Sequence, residues 1–142
     1  MKLSTKGRYG LRTLIDIVLH QDEGPVPLHE IAKRQSISVK YLWQVLNPLR
    51  RAGLIVVTRG ARGGYRLALP PGQLTLFDII STIEGPVAIV DCVGEQTTCP
   101  RARNCTAHWI WARVNERLAD VLRDVTLGEI VQHCRQQSEE NR

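Results

Sequence analysis

Three of the four cysteines and one histidine fall within seventeen residues, at Cys92, Cys99, Cys105 and His108. Their spacing is C-x6-C-x5-C-x2-H, and the residues between them include Gly, Thr, Asn and Pro, which favour a loop. Three thiolates and one imidazole can complete the coordination of a single inorganic centre. We therefore predict that residues 91–108 form a loop folded around an iron–sulfur cluster or a metal ion.

Zinc and thiol chemistry are the alternatives for this loop. Structural zinc sites also use three cysteines and one histidine, but their ligands usually come in pairs about two to four residues apart. Only Cys105 and His108 are that close together. In a reducing cytosol, clustered cysteines bind metals or sense redox state more often than they form structural disulfides. The spacing therefore favours an iron–sulfur cluster.

The basic residues are concentrated in the first half of the chain. Residues 1–66 hold 12 Lys and Arg against 4 Asp and Glu, whereas residues 67–142 hold 7 against 10. A positive charge confined to one half is the electrostatic pattern of a nucleic-acid-binding domain. The first half is therefore predicted to contact double-stranded DNA.

Apolar residues before position 52 recur at helical spacing in three segments. The first helix is predicted over about residues 6–20, and the second from Pro27, since proline suits the first helical position. A tight junction at residues 35–37 precedes a third helix capped by Ser38. Two short helices joined in this way form a helix-turn-helix, whose second helix reads the major groove. The best candidates for DNA contact on this helix are Ser38, Lys40, Tyr41 and Gln44.

A β-hairpin is predicted immediately after the helix-turn-helix. Two strand-forming runs, residues 54–58 and 65–69, flank a glycine-rich turn that carries Arg59 and Arg62. Glycines let the backbone approach a phosphate closely, and arginine side chains can enter a narrow minor groove. The hairpin is therefore predicted to be a DNA-binding wing.

The second half of the chain is predicted to connect and pair the subunits. Thr75 caps a short helix that stops at Gly85, and a long helix runs from near His108 to about Arg123. Thr126 and Glu129 form a capping-box pattern that opens a last short helix, predicted to fray from Ser138. Apolar residues of the long helix alternate at spacings of three and four: Trp111, Val114, Leu118, Val121 and Val125. Such a seam suits a partner helix, although it could instead pack within its own domain.

These segments predict a mainly α-helical fold with a small β-hairpin, a winged helix-turn-helix followed by a long dimerisation helix. The DNA-binding head spans residues 1–70, the connecting helix 71–90, the cluster-binding loop 91–108, and the dimerisation and C-terminal helices 108–142. A small head contacts one half-site, and helix-turn-helix readers commonly pair to span two. We therefore expect a homodimer on an operator.

Several segments in this order resemble the winged-helix family of bacterial iron–sulfur regulators, whose members include IscR, NsrR, RirA and CymR. The resemblance covers nearly the whole chain. It is carried by Leu3–Gly10, Ile37–Leu42, Arg59–Tyr65, the three clustered cysteines and Val125–Ile130. It implies a homodimeric transcription regulator whose cluster state changes its affinity for DNA or its choice of site.

The resemblance also implies a ligand set. Cys92, Cys99 and Cys105 match the cluster cysteines of the family, and His108 resembles the fourth ligand of IscR-type proteins that hold a [2Fe-2S] cluster. The first gap here is six residues where IscR-type chains commonly have five. NsrR-type proteins can use a carboxylate from the first helix, but this chain has no acidic residue before Asp16. A [2Fe-2S] cluster is therefore expected, with a three-cysteine [4Fe-4S] cluster as the alternative.

Two other function classes fit the sequence less well. An enzyme would need a nucleophile elbow, a phosphate loop or paired carboxylates near the cysteines, and the sequence has none of these patterns. An electron carrier would not need a basic helix-turn-helix and wing. The first residues lack the apolar core of a signal peptide, and no apolar run approaches membrane-spanning length. A cytoplasmic protein that does not act at a membrane is expected.

Overall fold

The computed structural model describes residues 3–94 and 99–142, which form six α-helices and one two-stranded antiparallel sheet. This is the predicted mainly α-helical architecture with a hairpin. The helices are α1 (Thr5–His20), α2 (Leu28–Gln35), α3 (Val39–Arg51), α4 (Leu76–Glu84), α5 (Thr106–Asp124) and α6 (Leu127–Glu140), and the strands are β1 (Ile55–Thr58) and β2 (Gly64–Leu67).

One hydrophobic core joins the head to later parts of the chain. Fully buried leucines and isoleucines from α1, α2 and α3 pack together, and α4 and α6 contribute Ile79 and Leu127 to the same core. Each fully buried aliphatic side chain stabilises the fold by about 1.5–3 kcal/mol. The connecting helix and the last helix therefore share one core with the first three helices.

Most helix boundaries lie where capping residues predict them. Ser38, Thr75 and Thr126 each accept a hydrogen bond from a backbone N–H in the first turn of their helix, and the last two form complete capping boxes. Pro27, predicted to be the first residue of α2, is instead its N-cap. Residues from Ser138 onward were predicted to fray, but helix α6 continues to Glu140. The Ser138 hydroxyl donates to the Cys134 carbonyl one turn earlier, 3.0 Å away.

Helix α4 holds the two halves of the chain together. It packs against α1, α3 and α5, and its approach to α1 is close enough that a side chain at Gly10 would collide with Ile83. At its end, Glu84 accepts hydrogen bonds from the backbone N–H and the hydroxyl of Ser4, the N-cap of α1. The position of α4 is therefore tied to the first residues of the head.

Candidate nucleic-acid interface and metal centre

Helix α3 presents the side chains that sequence analysis assigned to DNA reading. The Ser38 hydroxyl accepts from the Tyr41 backbone N–H at 3.1 Å and so starts the helix. Ser36 precedes it in the left-handed conformation, which makes the tight turn from α2. Lys40 and Gln44 are exposed on the face opposite the buried leucines. These two side chains are available to a DNA groove.

Tyr41 is held differently. It is half-buried, and its ring meets the Tyr9 ring of α1 edge-on, with the ring centroids 5.9 Å apart. The guanidinium of Arg12 lies 4.9 Å from the centroid of the Tyr9 ring on the same helix. Tyr41 therefore helps to orient α3 against α1.

A buried carboxylate fixes α2 against α1. Asp16 is 3% exposed and receives hydrogen bonds at 2.7 and 2.9 Å from the Arg34 guanidinium and at 2.9 Å from the Gln35 amide. The hydrogen bonds to Asp16 raise the pKa of Arg34 above its ordinary value, so this partner stays charged. This ion pair thus helps to fix α2 against α1.

The hairpin places both predicted wing arginines in solvent. In the sheet Ile55 pairs with Leu67 and Thr58 with Gly64, and Arg59 and Arg62 are exposed in the connecting turn. A Cβ at Gly63 would collide with the Thr58 carbonyl, which explains the glycine. Tyr65 exchanges two backbone hydrogen bonds of 2.8 Å with Val26, which anchors the hairpin to the head, and burial raises the pKa of its phenol.

The four predicted metal ligands lie in and beside the loop between α4 and α5. Cys92 is half-buried in a short 3₁₀ turn, Asp91–Val93, and Cys99 is exposed. Cys105 is half-buried at the N-cap of α5, three residues before His108. Residues 95–98, which separate the first two cysteines in the predicted loop, lie outside the described residues.

Cys92 and His108 line one cleft. Its volume is about 280 Å³, and Asn115 and Glu116 of α5 also line it. The Nδ1 atom of His108 is buried and has no hydrogen-bond partner within residues 3–94 and 99–142. A buried polar nitrogen without a partner is costly, which makes His108 a candidate ligand for a further group.

The structure does not bring the four predicted ligands around one point. Within the described parts of the chain, no three His, Cys, Asp or Glu side chains are arranged so that they could hold a metal ion. The cleft joins Cys92 with His108, while Cys105 is linked to them through α5.

Asn115 is a site residue that sequence analysis missed. Its side-chain oxygen accepts from the Ile89 N–H at 2.9 Å, and its side-chain nitrogen donates to the Val87 carbonyl at 3.1 Å. This two-point clamp fixes the segment that leads into Cys92 on the helix that carries His108. A polar residue two turns after His108 was the only signal available in the sequence.

Exposed large apolar side chains gather in two places. In the head they are Val39 and Trp43 of α3 and Val56 and Val57 of β1, and on α5 they are Trp109, Ile110, Trp111, Val114 and Val121. The predicted seam is therefore partly free, since Trp111, Val114 and Val121 are exposed and Leu118 and Val125 are half-buried. Exposed apolar side chains that gather in this way are candidates for interaction sites.

Comparison with known proteins identifies the family. A family model described as "Rrf2: Iron-dependent Transcriptional regulator" matches residues 3–133. The chain belongs to the Rrf2 family. The HTH-type transcriptional regulator IscR of Aliivibrio salmonicida is 40% identical to it over 131 residues, which are 92% of this chain and 77% of IscR.

Solved structures of Rrf2-type regulators have the same fold. CymR, the global cysteine regulator of B. subtilis, is 38% identical, with a TM-score of 0.76 over 94% of this chain and 98% of CymR. IscR of T. potens is 35% identical, with a TM-score of 0.76 over 94% of this chain and 88% of that one.

These relatives confirm the resemblance seen in the sequence and the predicted fold class. They are HTH-type transcription regulators and not enzymes, so the prediction of a non-enzymatic Rrf2-type regulator is also confirmed. A search of the described helices finds none that is long and apolar enough to span a membrane.

Proposed function

We propose that this chain is a homodimeric regulator that binds operator DNA and senses through an iron–sulfur cluster held by Cys92, Cys99, Cys105 and His108. A [2Fe-2S] cluster fits one histidine and three cysteines, and a [4Fe-4S] cluster on the three cysteines is the alternative. The signal reaches the DNA through the state of this cluster.

Two observations carry the proposal: Cys92 and His108 line one cleft, and the Nδ1 atom of His108 is buried without a hydrogen-bond partner within the described residues. A neutral imidazole nitrogen is a common metal ligand. Thiolates are the ligands that hold iron–sulfur clusters. Cys92 lines this cleft, and Cys99 and Cys105 follow it closely in the sequence. The donor set and the vacant nitrogen therefore suit such a group.

The chain's own residues prepare the site in two ways. The Asn115 clamp orients the segment before Cys92, and α5 fixes the distance between Cys105 and His108 along one helical turn. When bound, an iron–sulfur cluster supplies a redox centre that can also be lost. Either change would alter which groups hold the loop onto α5.

On the DNA side, Ser38, Lys40, Tyr41 and Gln44 are proposed to act from α3 in the major groove, with Arg59 and Arg62 in the minor groove. Lys40, Gln44 and both arginines are exposed, which supports these roles. Tyr41 is proposed to act mainly by orienting the helix, because its ring already packs against Tyr9.

Spectroscopy on anaerobically purified protein tests the sensor. We expect a coloured protein whose absorption and Mössbauer spectra are those of an iron–sulfur cluster, and whose DNA affinity or site choice changes when the cluster is removed. Reconstitution with iron and sulfide should restore the DNA affinity and site choice of the cluster-bound protein. A colourless, zinc-loaded protein that binds DNA fully would overturn the proposal in favour of a zinc-based regulator.

The homodimer has a separate test on α5. Val121 is 60% exposed, so Val121→Glu leaves the monomer intact but places a charge in the proposed apolar interface. Light scattering should then report the monomer mass at concentrations where the wild-type protein is a dimer. Val56→Glu makes the same change at a valine of the hairpin that is 46% exposed, and it should keep the dimer mass. An unchanged mass for Val121→Glu would show that this stripe of α5 faces elsewhere.

A further inference from the structure

A cleft of about 600 Å³ separates α3 from the hairpin. Its walls combine apolar and basic side chains: Trp43 and Arg50 from α3, and Val56, Val57, Arg59 and Tyr65 from the hairpin. None of Trp43, Arg50, Val56 and Val57 was predicted to contact DNA. The cleft therefore presents a surface that the proposed reading residues do not explain.

Trp43 is the unusual residue in this cleft. It is 53% exposed, and Val56 and Val57 across the cleft are 46% and 42% exposed. Trp43 and Arg50 are seven residues apart, so they lie on one flank of α3, the flank that faces the hairpin. Lys40 and Gln44 project from the centre of the exposed face instead. The helix thus offers polar groups outward and an aromatic ring toward the wing.

The position of the cleft suggests its occupant. The inference rests on the proposed DNA binding, with α3 in the major groove and the hairpin turn in the adjacent minor groove. One sugar–phosphate strand separates these two grooves, so it must pass between α3 and the hairpin. We propose that the cleft seats this strand, with a phosphate at Arg50 and deoxyribose carbons on Trp43, Val56 and Val57, while Arg59 extends past the strand into the minor groove.

The chemistry of the cleft matches both components of the strand. Phosphates are bound by arginine, and each phosphate contact releases counterions and makes affinity fall with salt. Deoxyribose presents carbon atoms without the 2′-hydroxyl of RNA, so an apolar wall fits DNA in particular. Apolar contact releases no counterions, so Trp43 adds affinity that salt does not weaken.

Salt-dependent binding of two variants separates these contributions. The probe is a duplex that the wild-type protein selects from a random-sequence library. Trp43→Ala should weaken binding about tenfold at every salt concentration, as expected for loss of a buried aromatic contact, and leave the salt slope unchanged. Arg50→Gln should weaken binding and flatten the slope by about 0.9. Trp43→Phe, which keeps an apolar ring, should bind within about twofold of wild type.

A second set of duplexes tests whether Trp43 contacts the sugar–phosphate strand or a thymine base. Replacing each thymine of the selected duplex by deoxyuridine removes only the methyl group that thymine presents in the major groove. The Trp43→Ala effect should persist on every such duplex. Unchanged affinity of Trp43→Ala, or an effect that disappears at one deoxyuridine, would overturn the assignment of the strand. A wild-type protein that selects no duplex would overturn the proposed function as well.

Discussion

His108→Ala is expected to deprive the protein of its cluster while leaving the fold intact. The ring is only half-buried and its Nδ1 makes no hydrogen bond within the described residues, so its removal costs little stability. Removing a partner that merely orients a ligand typically costs about 10–100-fold in metal affinity, and loss of a ligand should cost at least about 100-fold. Iron content and absorption spectra after anaerobic reconstitution measure the loss.

Two further variants sharpen this prediction. His108→Cys should keep a cluster but lower its reduction potential, because a thiolate adds one negative charge where the imidazole was neutral. His133→Ala removes an exposed histidine of α6 and should match the wild-type protein in iron content and potential. If His108→Ala keeps the wild-type spectrum and potential, then His108 is not a ligand and another group fills the fourth position.

Asp16→Ala is expected to destabilise the head by about 3 kcal/mol in the free energy of unfolding. The substitution leaves the Arg34 guanidinium without its buried partner and removes four hydrogen bonds between α1 and α2. Breaking a buried ion pair costs about 3–5 kcal/mol, and the low end applies because Arg34 is 32% exposed.

Urea unfolding at one fixed protein concentration measures this loss, since a dimer's stability depends on concentration. Asp22→Ala, at an exposed aspartate beyond the end of α1, is the matched control and should change stability by less than about 0.5 kcal/mol. Equal stabilities for the two variants would show that the Asp16 ion pair does not hold α2 in place.

The local features of the fold were predictable from the sequence. Ser38, Thr75 and Thr126 start their helices because a side-chain oxygen can satisfy a backbone N–H a few residues later, and this needs no knowledge of the rest of the chain. The hairpin was predictable for the same reason, because the residues that form its turn occupy six consecutive positions, 59–64. Such features depend on neighbours in sequence.

The contacts that position the candidate site were not predictable in this way. Asn115 binds backbone groups of Ile89 and Val87, which lie 26 and 28 positions earlier in the chain. Glu84 binds Ser4, which lies 80 positions earlier. No periodicity or spacing in the sequence predicts such distant hydrogen-bond partners. The cysteine spacing indicated which atoms could bind a cluster, but the positions of Cys92 and His108 on one cleft depend on contacts between distant segments. The exposure of Trp43 beside the hairpin likewise becomes visible only when β1 and α3 are placed together.

The position of α4 has a thermodynamic consequence. This helix packs against α1 and α3 on one side and α5 on the other, and it leads directly into the segment that Asn115 holds beside Cys92. If the head favours one placement of α4, then it also favours one arrangement of the cysteine loop. Because linkage is reciprocal, a loop state that strengthens DNA binding by some factor is itself stabilised by bound DNA by the same factor. The operator would thus act as an effector of the sensor, and that loop state would be more populated in protein bound to an operator than in protein free in solution.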